Sequence, residues 1–374
     1  MIKKVLFVAT VVKTHINVFH IPYLKMLKEM GYETHVAARN DFEDSDDCII
    51  PYCDYYHDMP FERSPIKFNN VKTYKQLKEL IFKENFDIIH CHTPMGGVLS
   101  RLAYKSLKNK VKTKIIYTAH GFHFYKGAPL INWVLYYPVE KYLSKYTDIL
   151  ITINKEDYNR AKNKFKMKRL EYVPGVGVDN SKFKLHNFDK EIYRKELGLH
   201  DRDIMLLSVG ELISRKNHKV VIEALAKLNN PNIHYYIAGR GKLKNKLEQC
   251  IKELNLVNQV HLLGFRKDII ELNKAADIFV FPSKQEGLPV ALMEAMVLGK
   301  PIICSKIRGN IDLISDNENG YLFEFQNIDE VKNLILDLSN DNSKKLYMGK
   351  LSKEKIKPYL LDNILIKMKE IYRL

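Results

Sequence analysis

The chain of 374 residues has no apolar run approaching the roughly 18 residues that a spanning helix needs, so a helical membrane protein is excluded. Its five cysteines, Cys48, Cys53, Cys91, Cys250 and Cys304, form neither a paired nor a metal-like spacing, which suits a reducing cytosol. No Ser-His-Asp, Cys-His or P-loop constellation is present, and no nucleic-acid motif of the usual kinds. The stretch from Met1 to Thr10 begins like a signal peptide but lacks a long apolar region and a small-residue cleavage site. It is expected to be a buried first strand. Acidic residues are also in deficit, 44 Asp/Glu against 60 Lys/Arg, leaving a net charge of +16.

What is present fits a two-domain globular protein. A chain of 43.7 kDa is too long for one ordinary core, and 46% hydrophobic with 28% charged residues is typical of water-soluble folds. The positive charge is uneven. Residues 101–170 carry 16 Lys/Arg against Glu140, Asp148, Glu156 and Asp157, a net of +12. The same region holds Phe122-His123-Phe124-Tyr125 and Trp133-Val134-Leu135-Tyr136-Tyr137. Basic residues interleaved with aromatics suit an anionic membrane surface or single-stranded nucleic acid. A lysine-rich solvated face is the plain alternative. With no nucleic-acid motif, the membrane surface is the preferred partner.

Both halves alternate short apolar runs with helical stretches. In the first, Val5–Thr10, Glu33–Ala38, Phe86–His92 and Lys114–Ala119 read as strands, and Pro22–Met30, Thr73–Glu84 and Gly96–Leu107 as helices. In the second, Ile204–Val209, His234–Ala238, Val260–Leu263, Ile278–Phe281 and Pro301–Cys304 are the expected strands, with helices over Val220–Leu228 and Leu243–Leu254. This grammar predicts an α/β protein of two doubly wound parallel sheets. The expected domains are 1–177, 178–355 and an amphipathic tail, 356–374, with Lys357–Leu374 helical. Ligands of such sheets bind at the carboxyl ends of the strands.

The most informative run is Glu286-Gly287-Leu288-Pro289-Val290-Ala291-Leu292-Met293-Glu294. It follows an expected strand and turns helical after Pro289, a residue suited to a first helical turn. The N–H groups of Gly287, Leu288 and Val290 are then free to face an anion. Glu294 is expected about two turns into that helix and Glu286 just before it. Carboxylates flanking a phosphate-binding helix start suit a ligand with phosphates and hydroxyls, such as a nucleotide sugar. A Glu paired with the helix dipole and a second facing solvent is the plainer reading.

This spacing resembles the E-x7-E motif of retaining glycosyltransferases of the GT-B fold, family 4. The resemblance implies two Rossmann-like domains facing across a cleft, the final helix crossing back to the first domain. Gly210-Glu211-Leu212 looks like the family's G-R-L, with Lys216 matching its diphosphate-binding Lys, whereas Glu211 replaces the Arg. Arg215 is the candidate substitute, although adjacent residues on a regular element face different ways. Ala238-Gly239-Arg240-Gly241 resembles A-G-x-G, and Phe265, after Leu263-Gly264, is the candidate base contact. Glu294 matches the ribose-binding carboxylate and Glu286 the one nearest the donor sugar. Tyr117-Thr118-Ala119-His120-Gly121 resembles T-x-H-G, whose His approaches the sugar and diphosphate. His15, His20 and His123 are assigned to the acceptor side. Asp312, where the family often has Glu, is left unassigned.

Two other constellations are set aside. His90-Cys91-His92 is read as placing its imidazoles on alternate faces of a strand, unable to share an ion, and catalytic zinc wants three protein ligands. Asp44-Ser45-Asp46 has a D-x-D form but lies in an acidic loop. The resemblance therefore implies a metal-independent, retaining transfer with no cofactor, catalysed by His120, Lys216 and Glu286. The donor is a nucleoside-diphosphate sugar, expected to carry uridine. The acceptor is an undecaprenyl-diphosphate-linked saccharide at the inner membrane face, as in bacterial exopolysaccharide or capsule synthesis. The rivals are a GT-B sugar-nucleotide 2-epimerase and a basic membrane- or nucleic-acid-binding protein with a degenerate sugar site.

Overall fold

The computed structural model describes residues 2–184 and 188–373. The chain divides into two units, Met1–Val176 with Ile364–Leu374, and Gly177–Asn363. The second unit thus keeps residues 356–363, which the sequence reading had grouped with the tail. Leu374, the end of the expected last helix, lies outside the described residues.

Unit 1 is built on a sheet of seven strands in the order β3-β2-β1-β4-β5-β6-β7, every neighbouring pair parallel. The strands are β1 (Lys4–Val11), β2 (Glu33–Arg39), β3 (Tyr55–Asp58), β4 (Ile88–Cys91), β5 (Lys114–Ala119), β6 (Ile149–Thr152) and β7 (Arg169–Tyr172). Strand order reverses direction between β1 and β4, which makes their carboxyl ends the expected ligand site. Leu6, Val8, Ile89, Cys91, Ile115 and Tyr117 fill the core on one face. Val5, Phe7, Ala9, Ile88 and Ile116 fill the other, with Ile364, Met368, Ile371 and Tyr372 of the last helix, Leu361–Tyr372, packed there. This is the two-residue alternation of a strand buried on both faces.

The same alternation corrects one expectation. His90 and His92 are two apart, so they share a face, and their ring centroids lie 4.0 Å from each other. Both are buried, and His90 is fixed by Tyr372 Oη at Nδ1 and Thr118 Oγ1 at Nε2.

Unit 2 has six parallel strands in the order β10-β9-β8-β11-β12-β13. They are β8 (Ile204–Val209), β9 (Ile233–Ala238), β10 (Val260–Gly264), β11 (Ile278–Phe281), β12 (Ile302–Ser305) and β13 (Gly320–Phe323). Here the order reverses between β8 and β11. The glycine-containing and Glu-containing segments all leave carboxyl ends of these strands.

Candidate active site

In unit 2 the turn after β8 and the loop after β11 meet on one carboxylate. Lys216 Nζ lies 2.8 Å and Arg215 Nη1 2.9 Å from Glu286 Oε1. Residues 214–216 form a single 3₁₀ turn, and this brings the two adjacent cations to one point. A regular strand or helix would have splayed them. Arg215 Nη1 also donates to the Gln285 carbonyl at 3.0 Å, and Lys284 N–H donates to the Arg215 carbonyl at 2.8 Å, so the two segments are laced together. Lys216 Nζ stands 4.7 Å from the Phe281 ring centroid. Glu211, the departure from the family pattern, is 68% exposed at its side chain and 3.9 Å from Arg215. It faces solvent beside the cations instead of replacing one.

Two glycines permit this meeting. A Cβ on Gly239 would stand 1.9 Å from the Gly210 carbonyl oxygen, so the turns after β8 and β9 touch only without one. Gly309, at φ +82°, would bring a Cβ within 2.4 Å of the Gly287 carbonyl oxygen. Gly241 lies against the Leu212 backbone, and Gly210 against the Lys216 side chain. The buried Arg308 donates from Nε to the Glu286 carbonyl at 3.2 Å, a support that sequence reading missed. Its one signal was an Arg-Gly pair following a strand.

The helix beyond is Val290–Val297, with Pro289 at its N-cap, one residue earlier than expected. Among the described residues, the N–H groups of Gly287, Leu288 and Val290 make no hydrogen bond within the protein, which leaves them available to an anion. Glu294 is the fifth helical residue, little more than one turn in, which shortens the expected two turns. Burial pushes its carboxyl above the ordinary range, with Lys182 acting against that shift. Phe265 is 60% exposed after β10, with the Arg240 guanidinium 5.3 Å from its ring centroid.

In unit 1 the histidines gather at the β1/β4 reversal. His15 sits on a turn of π-helix, Val12–Ile16, directly after β1, and such turns often mark functional sites. His15 Nε2 is 3.2 Å from His20 Nε2, and His120 Nε2 is 3.3 Å from His92 Nδ1. His20 and His92 are interior, 1% and 2% exposed, so the structure sets His20 behind His15 and not on an acceptor-facing surface. His92 escaped the sequence reading because the strand was read with the wrong faces. His123 stacks on Tyr136, centroids 4.7 Å apart. Asp44 to Asp46 is an exposed turn, Asp44 capping the Asp46 N–H.

Burial keeps these imidazoles neutral. It lowers His120 to about 4 and His90 to about 3, and lowers His15 to about 3 with help from His120 and Arg63. Each folded value lies below the unfolded value near 6.5, so stability is complete above pH 6.5 and falls as pH drops toward 4. The slope is about 1.4 kcal/mol per pH unit for each such imidazole. We expect the denaturant midpoint to hold above pH 6.5 and to fall steeply from about pH 6 toward pH 4, faster than in a His15→Phe/His90→Phe variant. Parallel curves for the two proteins would contradict it.

Among the described residues one trio, His15, His20 and His120, has the spacing of a metal site, its nitrogens within 4.8 Å of one another. Neutral imidazoles are a zinc donor set. The same His15–His20 contact also suits a hydrogen bond in which one ring donates its N–H to the other.

Two Rossmann-type units, one of which gathers two cations on a carboxylate beside free amides, place the chain among the two-domain α/β proteins of this build. Known proteins narrow the class. The glycosyl transferases group 1 family matches residues 189–355, and the glycosyl transferase 4-like family residues 4–154. EpsD of Bacillus subtilis (strain 168), a protein provisionally named a glycosyltransferase, is 42% identical over 87% of this chain and 84% of its own. The Escherichia coli UDP-Gal:alpha-D-GlcNAc-diphosphoundecaprenol alpha-1,3-galactosyltransferase is 31% identical over 74% of each chain. Anabaena HepE, solved with UDP and glucose, superposes at a TM-score of 0.80 with 18% identity over 99% of each chain, which shows a shared GT-B fold. The chain belongs to the family-4-like glycosyltransferases and is a glycosyltransferase enzyme.

Proposed function

We propose that the protein transfers a sugar, with retention, from a uridine-diphosphate sugar to a lipid-linked saccharide during exopolysaccharide or capsule assembly. The observation that carries this reading is the convergence of Lys216 and Arg215 on Glu286 beside the free amides of Gly287 to Val290. Cations and amide dipoles in one place suit a diphosphate, whose charge grows as the glycosidic bond breaks. The electron pair of that bond leaves with the diphosphate. The departing phosphate oxygen takes the acceptor hydroxyl's proton on the same face as the new bond forms. Glu286 contacts donor-sugar hydroxyls, Glu294 the ribose and Phe265 the base. Neutral His120 offers a hydrogen bond to a ligand at the strand ends of unit 1, since at about 4 it is no acid at neutral pH. The lipid-linked acceptors named for the Escherichia coli relative and for a Campylobacter jejuni N-acetylgalactosaminyltransferase, 26% identical over 89% of this chain, support the acceptor class.

Peripheral attachment to the inner membrane face is part of the reading. No described helix is long and apolar enough to cross a membrane. Helix Leu130–Leu143 instead exposes Leu130, Ile131, Val134 and Leu135, with Lys141 and Lys145 nearby in sequence. An apolar face bordered by lysines suits the surface of an anionic bilayer.

A thermal-shift screen of sugar nucleotides tests the donor, since a ligand of the native state raises the melting point. Uridine-linked sugars should give the largest shift, and Glu294→Ala should weaken their binding about tenfold, the loss of one or two hydrogen bonds to a partly buried carboxylate. Equal shifts from guanosine- and uridine-linked sugars would refute the base assignment. Dialysis against a chelator should leave transfer unchanged. Loss of activity restored by Zn²⁺ would instead give the His15, His20 and His120 trio to a metal. Conversion of the donor with no acceptor present would point to an epimerase.

A further inference from the structure

Unit 1 contains a cavity of about 970 Å³ alongside the histidine cluster. Its walls come from helices Asn69–Glu84, Pro94–Leu107 and Leu130–Leu143, through side chains such as Val71, Tyr74, Val98, Leu102 and Val139. One end reaches Thr10, His15, Thr93 and His123, around the carboxyl ends of β1, β4 and β5. Its lining also includes two cations, Arg63 and Lys67, and Arg63 is near enough to His15 to affect its proton affinity. Ile66, Val71, Leu135 and Val139 are both lining and exposed, 87%, 56%, 54% and 42% respectively, and so form its rim. The acid in the wall, Glu140, is spent on the buried Arg101 at 2.9 Å, so it does not oppose an anion at the mouth.

Such an arrangement is unusual for a sugar site, which needs many polar groups, and an apolar pocket of this size takes a sizeable hydrophobic ligand. Apolar side chains left exposed at its rim mark a surface that meets a hydrophobic partner. Two cations in the lining, one of them near His15, complement an anionic head. A molecule with a hydrocarbon chain, a diphosphate and then a saccharide meets all three conditions. We propose that this cavity holds the first isoprene units of a polyprenyl-diphosphate-linked acceptor, with Arg63 and Lys67 binding its diphosphate. The placement rests on the lipid-linked acceptor reading above and adds the location and the residues. The chain enters past Ile66 and Leu135, and the saccharide lies toward His15 and His123. The rest of a long chain stays in the bilayer.

The test measures binding of farnesyl diphosphate to the full chain by calorimetry, with geranyl diphosphate and inorganic diphosphate as shorter probes. Affinity should rise at least tenfold from inorganic diphosphate to farnesyl diphosphate. Val98→Trp, which fills the cavity, should remove most of that chain-length gain. Arg63→Ala/Lys67→Ala, two exposed positions whose change leaves the core intact, should weaken farnesyl diphosphate tenfold or more and flatten its salt dependence. Affinity indifferent to chain length, or unchanged in the double variant, would overturn the proposal. Sugar-nucleotide binding is measured on the same samples. Its failure alongside normal farnesyl diphosphate binding would sink the donor reading and leave the cavity assignment standing, and the converse result would do the reverse.

Discussion

Lys216→Ala is expected to lower kcat by about 10²–10³, the usual loss when one preorganised charge-stabilising group is removed from a transition state. The position of the side chain sets the size of the effect. Lys216 Nζ is held on one side by Glu286 Oε1 at 2.8 Å and stands over the Phe281 ring, with only 13% of the side chain exposed. Little rearrangement is therefore needed to place it, and a charge in a half-buried site is screened less than one in open water. Glu286 keeps Arg215 as a partner at 2.9 Å in the variant, so the loop should hold its shape and the melting point should barely move. KM for the sugar nucleotide should change far less than kcat, because the charge that Lys216 meets develops mainly as the bond breaks. Arg215→Ala should cost less, about tenfold, since that guanidinium is 38% exposed. Steady-state nucleotide release with the donor identified by thermal shift measures both. Parent-like kcat for Lys216→Ala would remove the cation from the mechanism.

The Glu211 departure reads differently once the turn is visible. From sequence, a carboxylate at a cation's place looked like a damaged diphosphate site, and adjacent Arg215 and Lys216 looked unable to cooperate. The 3₁₀ turn over residues 214–216 is what sequence could not supply. Its tight spacing depends on the segment after β11 closing against it, through Lys284 and Gln285. A contact some 70 residues away in sequence decided the local geometry. Arg308 was hidden for the same reason, since an Arg-Gly pair after a strand does not by itself specify a bond to the Glu286 carbonyl.

The central strands were the most legible part of the fold. Lys114–Ala119, Ile204–Val209 and Ile278–Phe281 have their expected limits, because a strand buried on both faces is a continuous apolar run bounded by polar residues. Edge and short strands were passed over. Tyr55–Asp58, with its exposed and half-buried residues, has no apolar run to announce it, and Ile149–Thr152 is too short to separate from a helical segment. Helix limits drifted by a turn where the first residues are polar, as at Asn69–Glu84. In the candidate site, the residues named from the motifs do follow strand ends. The buried histidine layer was read only in part: His20 was assigned to the acceptor side, whereas His92 was set aside, because its contacts with His20 and His120 form only when β1, β4 and β5 come together.

The largest stability effect is expected at a pair that the motifs did not touch. Arg101, 1% exposed, donates from Nη2 to Glu140 Oε2 at 2.9 Å and from Nε to the Gly97 carbonyl at 2.8 Å. Its guanidinium carbon lies 4.0 Å from the Tyr117 ring centroid, and Tyr117 Oη donates to Glu140 Oε1 at 3.2 Å. Among the described residues Glu140 is the acid that pairs with Arg101, so Glu140→Leu leaves a guanidinium without a counter-charge in the interior of unit 1. Breaking a buried pair on one side costs about 3–5 kcal/mol, since the remaining charge keeps its desolvation penalty and loses its partner. At about 2–4 °C per kcal/mol the melting point should drop by about 6–20 °C. Replacing both partners, as Arg101→Met/Glu140→Leu, should recover most of the loss, because apolar groups of similar volume carry no such penalty. Calorimetric melts of the parent, the single variant and the double variant decide it. If the single variant melts with the parent, water or another group must reach Arg101, and the wall of the apolar cavity is wetter than the packing around Tyr117 implies. If the double variant is as unstable as the single one, the cost lies in lost shape and not in a stranded charge.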